Sequence, residues 1–265
     1  MNYQSEKINE HFIRIIDKTG VACYLVIGEE KACLLDTCNG FGNIKEYVEQ
    51  LTDKPVFVLL THGHHDHMGG ANLFDEVYMN SKDQEVFKKF GNMDKRLNDA
   101  HQFHIEDDEV IPTRTQLIKE IEDYQIFDLG NIHIQMIPVA GHTPGMMCPL
   151  IQEDRSIIFG DACGVSVLLF DEFSSSVSDY LKSLYKLKEF ENQYDSVYRN
   201  HGTFTSPKDL LDNVIECCHL ILSHQDDHVP VTLFDYQLYA AKATDGQKRL
   251  DGKEGNILYA LEKAI

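Results

Sequence analysis

The chain has 265 residues, 43% hydrophobic and 25% charged, the balance of a globular protein with a sizeable core. Its 24 basic and 43 acidic residues leave a net charge of −19, a surface that repels phosphate backbones and anionic membranes, so neither nucleic acid nor membrane is an expected partner. The first residues carry no apolar secretory segment, no apolar run approaches the roughly 20 residues that span a bilayer, and seven scattered cysteines without C-x-x-C spacing suit reduced thiols; a cytoplasmic location is expected.

Taken in chain order, residues 12–16, 21–27 and 32–36 read as strands of an antiparallel meander, separated by Gly20 and by residues 28–31. Ile44, Tyr47, Val48 and Leu51 form a helical stripe, and the β-branched and aromatic run 56–60 after Pro55 predicts a buried strand. A helix is expected from about Gly69 and a short strand at 77–79. Residues 81–124 are polar and charged, with helical patches at 84–90 and 117–124, and predict an insertion or lid. Strand character returns at 126–129, 132–137, 156–159 and 196–200, with an apolar-faced helix at 178–190 between the last two. Pro207 then predicts a helix to about Leu222, capped by Ser206 and opening a C-terminal helical cap from about 206. No composition shift demands a second domain, so 1–265 reads as one.

The chemistry sits at the strand ends. Thr61 to His67 reads Thr-His-Gly-His-His-Asp-His, which places His62, His64, Asp66 and His67 directly after a core strand. Imidazole and carboxylate are the preferred ligands of zinc and its first-row neighbours, and such a group cannot be packed into an apolar core. Three later strands also end on His or Asp beside glycine: His142 near Gly141, Asp161 after Gly160, and His201 before Gly202. Ligands drawn from successive strand ends converge when the carboxyl ends of those strands lie together.

The ordered set His62-Gly-His64-His65-Asp66-His67, Gly141-His142-Thr-Pro-Gly145, Gly160-Asp161 and His201-Gly202 resembles the metallo-β-lactamase fold superfamily over roughly residues 10–205. That resemblance implies an α/β fold: an αβ/βα four-layer sandwich of two mixed β-sheets flanked by helices. It implies two divalent metal ions, zinc foremost with iron or manganese as alternatives. One ion would be held by His62, His64 and His142, the other by Asp66, His67 and His201, with Asp161 shared between them. Asp36 matches a position that supports a ligand histidine. The expected chemistry is hydrolysis by a water activated between the ions, with Asp66 catalytic as well as ligating. His64, His67 and Asp161 disfavour the diiron electron-transfer and β-lactamase branches, and the acidic charge disfavours nucleic-acid cleavage. The expectation is thus a hydrolase of a small ester, thioester, lactone or amide, similar to glyoxalase II and the lactonases. A mononuclear iron persulfide dioxygenase is the alternative; a non-catalytic binding protein or a phosphodiesterase ranks below it. A small-molecule substrate is the expected partner, and a homo-oligomer is left open.

Overall fold

The strands form where the apolar runs fall. In the computed structural model, which describes residues 2–233, 235–246 and 248–265, β1 (Tyr3–Lys7), β2 (Phe12–Asp17), β3 (Ala22–Ile27) and β4 (Ala32–Leu35) build the antiparallel meander. Helix α1 (Ile44–Glu49), whose Asn43 side chain accepts from the Glu46 amide, crosses over to β5 (Val56–Leu59). β5 lies parallel to β4, and β6 (Val77–Met79) and β7 (Lys119–Glu120) extend the sheet in parallel to seven strands in the order β1 to β7. The second sheet begins with β8 (Ile126–Asp128), β9 (His133–Pro138), β10 (Met147–Ile151) and β11 (Ser156–Ile158), all antiparallel. β12 (Val167–Leu169) leaves it, while β13 (Ser196–Tyr198) returns parallel to β11 and β14 (Thr205–Ser206) closes the edge.

Buried strand faces on both sides explain the near-continuous apolar runs. Tyr24, Val26, Leu35, Phe57 and Leu59 of the first sheet pack with Ile134, Met136, Met147 and Ile158 of the second, forming the central layer contact. The opposite face of the first sheet is covered by α1, by the one-turn α2 (His65–Met68) and by α3 (Gln84–Phe90). The outer face of the second is covered by α5 (Val177–Lys188) and α6 (Leu210–Leu222), through Tyr180, Leu184, Leu211 and Val214. The arrangement is the four-layer αβ/βα sandwich. Helix α4 (Met93–Gln102) lies beyond α3. No helix among the described residues is long and apolar enough to cross a membrane.

Three local expectations are corrected. The stretch 117–124 is not helical: Lys119–Glu120 pairs with the open edge of β6, and Ile121 turns into the inter-sheet core. Ser206 does not cap α6 but belongs to β14, where its hydroxyl accepts from Arg199 Nε at 2.8 Å and donates to Glu254 at 2.7 Å. After α6 the chain turns to strands instead of continuing a helical cap. β15 (Val229–Leu233), β16 (Tyr236–Ala240) and β19 (Ile257–Tyr259) join β12 in a third sheet, and a small hairpin, β17 (Thr244–Asp245) with β18 (Lys248–Arg249), hangs between. The alternating burial of Val229 to Leu233 is the two-residue period of a half-covered strand.

The direction of the strands assembles the site. β9 and β11 are both antiparallel to β10, and β13 is parallel to β11, so β9, β11 and β13 end at one edge. At that edge the Met147 amide donates to the Thr61 carbonyl at 2.9 Å, which joins the end of β5 in the first sheet to β10 in the second.

Candidate metal centre

The four strand ends bring every predicted histidine and aspartate into one cluster. His64 precedes α2 in extended backbone, and the single turn that follows lets the His67 amide bond the His64 carbonyl at 3.0 Å. His62 Nε2 lies 3.1 Å from His64 Nδ1, and His142 Nε2 lies 3.0 Å from the same atom. On the other side His201 Nε2 is 3.3 Å from His67 Nε2 and 3.3 Å from Asp66 Oδ2. Asp161 spans the two groups: its Oδ2 is 3.6 Å from both His142 Nε2 and His67 Nε2, and its Oδ1 is 3.4 Å from His201 Nε2. The candidate ligand atoms fall into three overlapping groups, His62/His64/His142, His62/His67/Asp161 and Asp66/His67/His201, each within 4.8 Å.

Hydrogen bonding behind the rings decides which nitrogen faces the centre. The Leu168 carbonyl can only accept, so His142 Nδ1, 2.9 Å away, carries its proton outward and leaves Nε2 bare. Asp36 Oδ2 accepts from His67 Nδ1 at 2.9 Å, so Nε2 is the nitrogen that ring turns to the centre. The Thr61 hydroxyl gives its proton to Asp36, at 2.9 and 3.0 Å, and so accepts from His62 Nδ1 at 3.1 Å. His64 Nδ1 therefore faces two bare nitrogens and could donate to only one. Nitrogens bound at about 2.0–2.1 Å to one ion stand roughly 3.0–3.4 Å apart for octahedral to tetrahedral angles. The observed separations have that size, and the remaining ring nitrogen of His64 is buried without a hydrogen-bond partner. The donor set fits divalent metal.

Asp36 is the hub behind both sheets. It is 1% exposed and sits at φ 64°, a left-handed conformation that aspartate tolerates better than most residues. Its carboxylate accepts the Thr61 amide at 2.7 Å and the Asn200 side-chain amide at 3.1 Å, in addition to Thr61 Oγ1 and His67. Asn200 donates again to the Ala22 carbonyl at 2.8 Å, tying the His201 end of β13 to β3.

The electrostatics call for positive charge. Burial, reinforced by the neighbouring imidazoles, pushes His62 and His64 well below the ordinary histidine value. Burial opposes ionisation of Asp66 and Asp161, yet the facing histidines outweigh it and hold both carboxyls well below the usual range. Burial likewise opposes a proton on His67, but Asp66, Asp36 and Asp161 raise it well above its ordinary value; His201 is raised against burial by Asp161 and Asp66. The three carboxylates thus favour positive charge on the His67–His201 side of the cluster.

One structural residue of the site escapes sequence reasoning. Asp83, fully buried just before α3, accepts the Gly63 amide at 2.8 Å, the Thr143 hydroxyl at 2.8 Å and the Gly145 amide at 2.5 Å. It staples the loop of His62 and His64 to the loop of His142. The approach is close: a Cβ on Gly63 would meet the Phe87 nitrogen at 2.7 Å, and one on Gly145 would meet Asp83 itself at 2.8 Å. Further along 81–124, the buried Arg96 donates to the carbonyls of Asn39, Gly69 and Ile111, and Arg114 caps those of Ala71, Phe74, Asp75 and Leu117. These residues anchor the segment beside the site as a wall.

The other histidines stay outside the cluster. His65 turns toward Phe90 and Asp99, His101 pairs with Asp107 at the surface, and His228 stacks on Tyr239 while bonding Tyr259. Cys163 is fully buried and burial pushes its thiol well above the ordinary range, so it packs.

The model of the metallo-beta-lactamase superfamily matches residues 16–194. The human acyl-coenzyme A thioesterase MBLAC2 is 25% identical over 208 residues, covering 69% of this chain and 71% of its own length. The probable polyketide biosynthesis zinc-dependent hydrolase BaeB of Bacillus velezensis is 24% identical over 199 residues, 73% of this chain and 78% of its own. Among solved structures, the stereoselective inverting sec-alkylsulfatase Pisa1 from Pseudomonas sp. superposes over 84% of the chain with a TM-score of 0.66 at 12% identity, a likeness of fold; the chain spans 42% of that protein.

Proposed function

The chain belongs to the metallo-β-lactamase superfamily and is a metal-dependent hydrolase, and from that premise we propose that it cleaves a small ester, thioester, lactone or amide with two divalent ions, zinc foremost. His62, His64 and His142 would hold one ion and Asp66, His67 and His201 the other, with Asp161 shared. The observation that carries the reading is the convergence of His62, His64 and His142 nitrogens at 3.0–3.1 Å, two of them with their protons committed outward. A thioester is the first substrate to try, since the human relative is named as an acyl-coenzyme A thioesterase.

Held there, such ions lower the pKa of water and polarise a carbonyl oxygen. The chain's own residues do the rest. The Asp66 side chain remains 24% exposed, so its carboxylate can orient water by accepting its hydrogen bond, the proton released on attack at the carbonyl passing to the leaving group. Asp36 and Thr61 keep the Nε2 atoms of His67 and His62 turned inward, and Leu168 does so for His142. No serine or cysteine nucleophile is needed.

The test is metal analysis of the purified protein together with a panel of thioesters, lactones, esters and phosphodiesters. The expected outcome is about two zinc equivalents per chain, thioester or ester turnover abolished by chelation, and recovery with zinc. Tight occupancy by a single iron, with oxygen consumed in the presence of a persulfide, would overturn the reading.

A further inference from the structure

We infer that the group cleaved by this site carries an alkyl or aryl moiety, seated on a wall made by Phe90 and Phe173 on the His64–His142 side of the cluster. This inference rests on the hydrolase reading above and names the substrate character within it. Phe90, the last residue of α3, lies edge-on to His64 with ring centroids 4.1 Å apart and is only half-buried. Phe173 lies in the loop after β12 and is likewise half-buried. The next residue, Ser174, donates its hydroxyl to the His142 carbonyl at 3.2 Å, so Phe173 is tied to the loop of that ligand. The Lys89 ammonium stands over both rings, 5.7 Å from the Phe90 centroid and 5.1 Å from that of Phe173, and the Lys95 ammonium lies 5.8 Å from Phe90.

Lys89 is ion-paired with Glu172, and both side chains are exposed, so the wall has a neutralised polar rim and its floor is aromatic. An anion site is not what this arrangement provides. Phe170, three residues before Phe173, meets Tyr236 edge-on at 4.9 Å, and Tyr236 is exposed. The His201 side differs: that ring is 39% exposed and is followed by exposed Gly202 and Thr203, with no aromatic side chain adjacent in the chain until Phe204. The His64–His142 flank thus carries two aromatic rings, and the His201 flank carries the part-exposed carboxylates of Asp66 and Asp161. A bound ester or thioester gains most by laying its hydrocarbon over Phe90 and Phe173 and turning its polar part toward His201.

The hydrocarbon could belong to the acyl group or to the leaving group, and two substrate series separate them. One varies the acyl chain from acetate to octanoate with p-nitrophenol as a fixed leaving group; the other varies alkyl thiols of the same lengths on a fixed acetyl group. In the zinc-loaded protein kcat/KM should rise roughly two- to fourfold per methylene in one series. Phe173→Ser should flatten that rise while zinc content stays that of the wild type, because Phe173 is not among the cluster residues. Phe90→Leu, which keeps bulk against His64, should flatten it in part. Calorimetric Kd values for acetate to octanoate, and for the matching thiols, give the same increments without turnover. No chain-length dependence in either series and in both sets of Kd values, or a slope that survives Phe173→Ser, would overturn the wall. A slope in Kd lost in Phe173→Ser, with no hydrolysis of any panel member, would support the wall and sink the hydrolase reading instead.

Discussion

Replacing Asp83 with asparagine is the sharpest perturbation of the site that leaves every candidate ligand in place. The wild-type carboxylate accepts three hydrogen bonds, from Gly63, Thr143 and Gly145. Asparagine keeps one acceptor oxygen. With that oxygen turned to Gly63 and Thr143, its NH2 group meets the Gly145 amide donor to donor; turned the other way, the NH2 meets the Gly63 amide donor to donor while the Thr143 hydroxyl can turn to accept from it. A buried hydrogen bond to a charged group is worth about 1.5–3 kcal/mol. Part of that is offset, because burial raises the Asp83 pKa against its three donors and the neutral amide escapes that cost. A net loss of about 1–3 kcal/mol follows, a fall in Tm of about 2–10 °C for a chain of this size. The larger effect is on metal. Freed of its staple, the loop of His62 and His64 no longer holds its distance to His142, and zinc affinity should drop about 10- to 100-fold, as for other residues that orient ligands. Chelator competition on wild type and variant, with thermal unfolding of the metal-free proteins, reads both quantities. Zinc affinity within twofold of wild type alongside the fall in Tm would refute the argument, since Asp83 would then support only the fold.

Asp36→Asn should act on the other group of ligands: its new NH2 faces His67 Nδ1 or Thr61, and about a 10- to 100-fold loss of zinc affinity is expected, with wild-type affinity at both sites counting against the hub described here. Gly63→Ala forces a methyl group to 2.7 Å from the Phe87 nitrogen and should cost about 1–3 kcal/mol in thermal unfolding together with zinc; an unchanged melting curve would show that α3 yields freely. In the metal-free protein His62 and His64 stay neutral when folded but protonate when unfolded, so stability should fall as pH drops through about 6.5. His67 has the opposite sign, contributing stability below about 6.5 that is lost as pH rises through its raised folded value. Zinc must displace the His67 proton, so binding near neutral pH should release protons, and equal apparent enthalpies in two buffers of different ionisation heat would contradict this.

The cluster was legible because its chemistry is written in side chains placed after apolar runs: strand 56–59 followed by four ligand-type residues, then His142, Asp161 and His201 at strand ends that run one way. Asp36 was legible through the family resemblance, whose pattern places a histidine-supporting carboxylate at the end of the run Leu34-Leu35. Asp83 was not, because its partners are the amides of Gly63 and Gly145, and backbone donors leave no mark in a sequence. Its surroundings, Ser-Lys-Asp-Gln-Glu, read as the solvated start of a helix, and only the fold brings that turn under the ligand loops. The stretch 117–124 misled for a related reason: two residues became a strand because β6 offered an unpaired edge, a tertiary effect that local pattern does not carry. The C-terminal strands were in principle readable from the alternation at Val229–Leu233, but the helix opened at Pro207 was extended into a helical cap.

Because the cluster is shared between two sheets, it is also a late event in the life of the chain. His67 and His201 are 134 residues apart, and they meet only when the two sheets have docked face to face. During synthesis the first four ligands emerge long before the last, on a half that can offer a cation only part of its coordination. Tight capture of a metal by this cluster would then coincide with docking of the second sheet, and a bound ion would act as a latch on that final step rather than a template for the first.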